Sequence, residues 1–466
     1  MNKPERFAAN SPEARDIAHH LHPYTNPDLL KANGPQIINA GEGIYVHDND
    51  GNRFIEGMSG LWCASFGFGE RELIAAATEQ MQKLPFYHSF TGKTVNPAID
   101  LAEALVTIAP DGLEKAFFCN SGSEANDTAI KMIWYYHAAI GKPEKKKIIS
   151  RKRGYHGVTL AAASLTALAY AQDGFGLPLD FAKHTSSPHY FQDAHDGESE
   201  EEFTARLVAD LEAMIAAEGA DTIGGFIAEP VMGAGGVILP PKGYFEAIQP
   251  VLKKHDILLI ADEVICGFGR TGNMFGCETY DIQPDILTCA KALSSAYMPI
   301  SAVLVSSEVA AGVEEQAVRL GQFGHGYTYS AHPVSAAVAL RTLQLMDERD
   351  IVGHVRAVAP LFAERVAALG RFASVGDTRS VGLIGAMEFV AEDGTRKKMD
   401  PSLKFAAKAM GVIQEAGVIL RALPVDGIGF CPPLIITEDE INAMFDRVER
   451  VMPTIDEMAQ SITASS

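Results

Sequence analysis

The chain has 466 residues, 47% apolar and 21% charged, enough for a sizeable core spread over about three domains, or over one large α/β domain with a smaller one appended. Lys plus Arg number 39 against 59 for Asp plus Glu, a formal charge of −20. That balance argues against a nucleic-acid partner, whose binding rests on cationic contacts to phosphates, and no apolar run approaches the roughly 20 residues of a membrane helix.

The first residues, MNKPERFAANSPEARD, are polar and lack an apolar h-region, so no secretory signal is expected. Residues 1–35 read as an arm or a short docking helix. The six cysteines (Cys63, Cys119, Cys266, Cys277, Cys289 and Cys431) form no CxxC pair, which offers neither a zinc ribbon nor a thioredoxin motif. Their apolar neighbours suit buried free thiols in a reducing compartment, so a cytoplasmic location is expected. No resident metal is expected.

From about residue 70 to 330, short apolar runs alternate with helical patterns. Strands are expected at 115–119, 147–150, 223–228, 257–261, 286–289 and 301–305. Several are apolar at consecutive positions, as in strands covered on both faces. Ile130, Ile133, Trp134 and Ala138 fall on one helix face, and a second helix is expected at 243–254. The charged stretch 193–202 reads as a solvated loop. The alternation predicts the α/β class, a mostly parallel sheet between helices, in a large domain spanning 70–330. Beyond it come helices near 331–348 and 355–369, a strand near 381–390 and a helix near 402–416. Thr437 and Glu440 form a capping box. Ile441, Met444, Phe445, Val448, Val451 and Met452 then keep the helical period. These elements, 331–466, predict a smaller α+β domain completed by 1–69.

Four features could carry chemistry. Asn120-Ser121-Gly122-Ser123-Glu124 lies between a strand and a helix, where free N–H groups and the helix dipole favour an anion; the alternative is a serine that only caps the helix. Gly267-Phe268-Gly269-Arg270-Thr271-Gly272 matches GxGxxG, yet turn formers and Pro follow it instead of a helix. It reads as a glycine-rich loop, and a dinucleotide-dependent dehydrogenase is the remote alternative. Asp262 ends an expected strand, where ligands of open α/β sheets bind, or it caps nearby backbone. Lys291 follows an apolar run. It is either a snorkelling surface lysine or an amine whose lowered pKa makes it a nucleophile. Together an anion cup, a lysine and a carboxylate fit pyridoxal 5'-phosphate, which needs all three.

NSGSEAND, RGYHG, AEPVMGAGG, ADEVICGFGRTG, CAKALSSAYMP and GYTYSAHP, in this order, resemble the successive signatures of class III (omega) PLP-dependent aminotransferases. The resemblance runs from about His22 to the last helix and is greatest to the amine:pyruvate, or omega-amino acid:pyruvate, subgroup. It implies PLP fold-type I and transfer of an amino group from an omega-amino acid or primary amine to pyruvate or a similar keto acid. The implied route is ping-pong, through pyridoxamine phosphate. A decarboxylase, racemase, aminomutase or 2-oxoglutarate-using transaminase on the same scaffold is the alternative.

The resemblance also implies roles. Lys291 would carry the cofactor's aldehyde and move the proton, and Asp262 would hold the pyridine nitrogen protonated. Val264 and Tyr155 would cover the two ring faces. Ser121, Gly122 and Ser123 would hold the phosphate, and His156 and Glu229 would support the site. Thr328 would reach a neighbouring subunit's phosphate, implying a homodimer with shared active sites, with pairing of dimers left open. Arg421 matches a mobile arginine that binds a substrate carboxylate. Trp62 and Phe90 would wall the substrate pocket, with Tyr24 near the entrance; plain core packing is the alternative for both walls. Ala234 and Ile265 replace the Glu and Gln usual in relatives acting on ornithine or GABA. Ala296 and Ser301 stand where glycines are common.

Overall fold

The computed structural model describes residues 7–463; of the N-terminal arm, Met1–Arg6 lie outside the described residues. The remainder of the arm forms two short helices, Pro12–His19 and Pro27–Asn33, each opened by a side-chain cap and a proline.

The centre of the molecule is a seven-stranded sheet. Its strands are β1 (Leu113–Cys119), β2 (Lys147–Arg151), β3 (Ala182–Thr185), β4 (Ile223–Ala228), β5 (Leu258–Asp262), β6 (Ile286–Cys289) and β7 (Ser301–Ser306). They lie in the order β1-β7-β6-β5-β4-β2-β3. Every pairing is parallel except the two made by β7. The carboxyl ends of β2, β4, β5 and β6 therefore share one edge, the edge where open α/β sheets bind ligands. β4 and β5 are buried at every position, which their sequences, free of charge up to the final Asp262, allow.

All six expected strands are present, and β3 is an addition. Its sequence, Ala-Lys-His-Thr, is polar at three of four positions because it is an edge strand covered less fully. The expected loop at 193–202 is corrected in part. Ser199 and Glu202 form a reciprocal capping box, and Glu200–Glu218 is a helix whose acidic first turn suits its N-terminus. The GFGRTG segment is a loop that opens no helix. Its Arg270 is buried and donates to the carbonyls of Leu383 (2.9 Å) and Pro432 (2.6 Å), which ties the sheet to the C-terminal region.

Two smaller sheets complete the fold. Ile38–Glu42, Tyr45–Asp48 and Arg53–Glu56 form one, and Val418–Ile419 joins it beside Arg53–Glu56, so segments from both ends of the chain share a sheet. The other takes Val375–Val381, Ile384–Phe389, Gly427–Phe430 and Arg421–Leu423 in that order. The single strand expected near 381–390 is thus the second arm of a hairpin. Its turn passes Gly382 (φ +55°), where a Cβ would stand 2.3 Å from the Arg270 carbonyl oxygen. The last helix, Glu438–Thr463, begins at the expected capping box: the Thr437 amide donates to Glu440 (3.0 Å) and the Glu440 amide to Thr437 Oγ1 (3.3 Å). Ile441, Met444, Phe445, Val448 and Met452 of that helix are buried. No helix among the described residues is long and apolar enough to cross a membrane. All six cysteines are free, and all but the half-buried Cys63 are buried.

A buried lysine also sits inside this framework. Lys145 is buried, and its ammonium donates to the carbonyls of Ala220, Ile223, His255 and Asp256 at 3.2, 3.0, 2.8 and 3.0 Å. Burial lowers its pKa. Lys145→Met keeps an unbranched apolar stem one atom shorter and removes the donors, leaving buried acceptors unsatisfied. We expect a loss of about 3 kcal/mol, read as a lower urea midpoint; an unchanged midpoint would show that water replaces the ammonium.

Candidate active site

At the carboxyl edge of the sheet lies a cavity of about 540 Å³. All the expected site residues line it except Ser121, Phe90 and Thr328.

Asp262, the last residue of β5, is 3% exposed. Its Oδ2 lies 2.8 Å from His156 Nδ1 and accepts from Asn126 Nδ2 at 2.9 Å, while Oδ1 accepts from the Val264 amide at 3.2 Å. Asn126 is fixed in turn: the Thr288 hydroxyl donates to its Oδ1 (2.8 Å), and its Nδ2 also reaches the His156 carbonyl (2.7 Å). The carboxylate is therefore held rigidly at one end of the cavity. His156 Nε2 is buried without a hydrogen-bond partner among the described residues.

Lys291 follows β6 in a left-handed conformation (φ 47°), which costs a residue bearing a Cβ about 1–2 kcal/mol. Its amine has no hydrogen-bond acceptor or ion pair among the described residues, and it lines the cavity. Burial lowers its pKa, opposed in part by Cys63, Asp262 and Glu229. Glu229, one residue past β4, braces two loops: its Oε1 accepts from the Tyr155 amide and its Oε2 from the Gly233 amide, both at 3.0 Å. Burial raises its carboxyl pKa.

The helix Gly122–Ala139 starts at the same edge. Ser121 is its N-cap and accepts from the Glu124 amide (3.2 Å); the capping alternative describes this side chain, which is exposed outside the cavity. Gly122 and Ser123 supply the free amides of the first turn. Gly157 closes against them at φ +131°, where a Cβ would stand 2.5 Å from Ser123 Oγ. Val264 lies against Gly122, whose added Cβ would meet both valine methyls at 3.0 Å. Ser301 also serves this cup. Its hydroxyl donates to the Ser121 carbonyl (2.8 Å), a tie that glycine lacks. Ala296 adopts φ 64°, where glycine is free of strain.

On the outer side, the Tyr155 and Tyr24 hydroxyls are 3.4 Å apart, and the Tyr24 and Tyr170 rings meet edge-on at 5.7 Å. Burial, then the Tyr24 hydroxyl, raises the Tyr155 phenol pKa. Arg421 opens the strand Arg421–Leu423 and pairs in register with Gly429. No carboxylate of the described residues pairs with its guanidinium. The Trp62 ring covers Gly429, where an added Cβ would come within 3.3 Å of it. Trp62 is also packed with Met58, Ile384 and Leu423, so the core alternative and the wall reading describe the same residue. Ala234 and Ile265 add small, uncharged lining.

Phe90 and Thr328 are not brought to this chain's cavity. Both are exposed, on surface segments that meet each other: the Phe90 ring lies 2.8 Å from where Gly326 would carry a Cβ. With Phe86, Tyr87 and Tyr329 they form an exposed aromatic patch. Sequence reasoning overlooked Asn126, Thr288 and Tyr170. The first two carried a signal, being polar positions on an otherwise apolar helix face and within an apolar strand.

The cavity thus offers an anion cup free of side-chain bulk, an unpartnered amine and a fixed carboxylate. These fit the phosphate, aldehyde and pyridine nitrogen of pyridoxal phosphate. Fold and site define an α/β enzyme built around that cofactor. The family model for Aminotransferase class-III matches residues 30–452. The omega transaminase from Pseudomonas jessenii, solved in complex with PMP, superposes with a TM-score of 0.95 at 48% identity, covering 96% of this chain and 99% of that one. An uncharacterized aminotransferase, y4uB, of Sinorhizobium fredii is 44% identical over 440 residues, 93% of this chain and 94% of its own length. Gamma aminobutyrate transaminase 3, chloroplastic, of Solanum lycopersicum is 48% identical over 411 residues, 88% of this chain and 79% of its own length. The chain belongs to the class-III aminotransferase family and is a pyridoxal-phosphate-dependent aminotransferase.

Proposed function

We propose that the enzyme moves an amino group from an omega-amino acid or primary amine to pyruvate in two half-reactions at one site. The observation that carries this reading is Arg421, an unpaired guanidinium on the wall of a cavity whose other outer walls are Trp62, Ala234 and Ile265. A guanidinium grips a carboxylate through two parallel hydrogen bonds. These walls are apolar, and the small Ala234 among them leaves room for a donor without charge. The similarity to a gamma aminobutyrate transaminase and to an omega transaminase supports donors whose amine is remote from any carboxylate.

Bound pyridoxal phosphate supplies an aldehyde that takes the amino group and a pyridinium ring that withdraws electrons from the donor carbon. The chain's residues do the rest. The Lys291 amine, held toward its neutral form by burial, takes the proton from the donor carbon at Nζ and delivers it back on the acceptor side. Asp262, oriented by His156 and Asn126, keeps the pyridine nitrogen protonated. The Gly122 and Ser123 amides hold the phosphate, and Val264 and Tyr155 confine the ring. Glu229 fixes Tyr155 through its amide.

The reading includes a homodimer, which is supported by the exposure of Phe90 and Thr328 on an aromatic patch outside this chain's own cavity. It also includes the division into a domain of residues 70–330 and a smaller one from both ends. The free cysteines suit a cytoplasmic, reducing setting.

Arg421→Ala tests the substrate assignment. Loss of two charge-assisted bonds predicts about a 100-fold fall in kcat/KM for the pyruvate half-reaction. The half-reaction with an uncharged amine changes little. Rapid mixing with each substrate alone separates the two, and equal losses in both would overturn the role.

A further inference from the structure

We infer that Asp16, His20 and His22 form a binding site for a divalent transition metal ion, of the zinc or nickel type, beside the entrance of the active-site cavity. Each of the three offers one ligand atom, and these atoms lie within 4.8 Å of one another. The local backbone explains the convergence. Asp16 sits in the last turns of Pro12–His19, and the chain leaves that helix at His20 in an extended conformation (φ −110°, ψ 118°). Alternate residues of an extended segment share a face, so His20 and His22 stand together, their ring centroids 4.2 Å apart. Leu21 between them points away and is 92% exposed.

Both rings aim a nitrogen at the same carboxylate. His20 Nδ1 lies 3.1 Å from Asp16 Oδ1 and His22 Nε2 lies 2.5 Å from Asp16 Oδ2. The hydrogen bond to His22, then that to His20, holds the Asp16 carboxyl below its ordinary pKa. Two imidazoles and a carboxylate are a donor set suited to zinc, with coordination positions left for water. A cation replaces the protons now shared between rings and carboxylate. It also sits at a helix C-terminus, where the backbone dipole favours positive charge. The consequence lies two residues on. Tyr24 lines the cavity, and its hydroxyl meets that of Tyr155. A metal tying Asp16 to His22 anchors the segment that carries Tyr24.

The test is equilibrium dialysis of the cofactor-loaded enzyme against Zn²⁺, with zinc per chain measured by elemental analysis. The wild-type protein is compared with H20Q/H22Q and with D16N. The inference predicts one more tightly held zinc in the wild type than in H20Q/H22Q, and an affinity weakened by more than about 100-fold in D16N. The substituted side chains are on an exposed arm, so melting without metal stays the same in all three proteins. Added zinc raises protection of the amides of residues 16–24 from hydrogen exchange in the wild type alone. Equal zinc content in the wild type and H20Q/H22Q overturns the site. Zinc bound without protection at 16–24 overturns its link to the entrance.

Discussion

Lys291→Ala lowers kcat by about 10⁴-fold, the upper range for loss of a positioned acid–base group, and leaves the protein folded. The loss is expected to exceed that of any other single substitution in the cavity, because Lys291 presents the one amine in its lining. The phosphate cup and the Asp262 carboxylate remain, so the variant still takes up cofactor. Its visible spectrum then no longer shows a lysine-bound carbonyl, and adding a primary amine without pyruvate produces no bleaching on the wild-type timescale. A small exogenous amine restores part of the rate by occupying the vacated space. Full activity in the variant would remove Lys291 from the mechanism.

Asp262→Asn is expected to lower kcat by about 10³-fold, the scale of losing one preorganised electrostatic partner. The side chain keeps its shape, and the contacts to His156 and Asn126 hold it in place, so affinity for cofactor falls far less than turnover. An amide cannot hold a proton on a pyridine nitrogen as a carboxylate does. Both half-reactions slow together, which separates this variant from Arg421→Ala, where the pyruvate side alone suffers. A pH–rate profile is the second readout. An Asp262→Asn enzyme with a normal rate would mean the ring nitrogen is governed by another group.

Much of this architecture was legible because burial leaves a plain record. Strands covered on both faces are apolar at most positions, and β4, β5 and β6 were readable for that reason. The last helix was readable from a capping box and a periodic apolar face. The edge strand β3 was not, because one side of it needs no apolar residue. Glu200–Glu202 looked like solvated charge and is charge, placed where a helix N-terminus stabilises it. The site was legible wherever a residue's place at a strand end fixed its exposure, as with Asp262 and Lys291. Ser121 shows the limit: a cap and a ligand-binding hydroxyl have the same sequence signature, and the geometry here is that of a cap. Asn126 went unnoticed because its importance depends on Asp262, 136 positions later, which no local pattern reports. Phe90 and Thr328 are outside this chain's cavity, and their expected roles depend on a surface that one chain does not supply.

The contact between Trp62 and Gly429 has a bearing on how such an enzyme can change its diet. Gly429 is the register partner of Arg421, and the indole lies over the place where Gly429 has no side chain. Register partners in an antiparallel pair share a face, so on the proposed reading donor size and acceptor recognition are set on one and the same face of this strand pair. A lineage adapting to bulkier amines gains room most directly by shrinking Trp62, yet that also withdraws packing beside Arg421, the arginine proposed to grip the acceptor's carboxylate. Successive adaptation is thus expected to be ordered: a substitution that steadies the Arg421 hairpin must come before, or together with, any that opens the pocket.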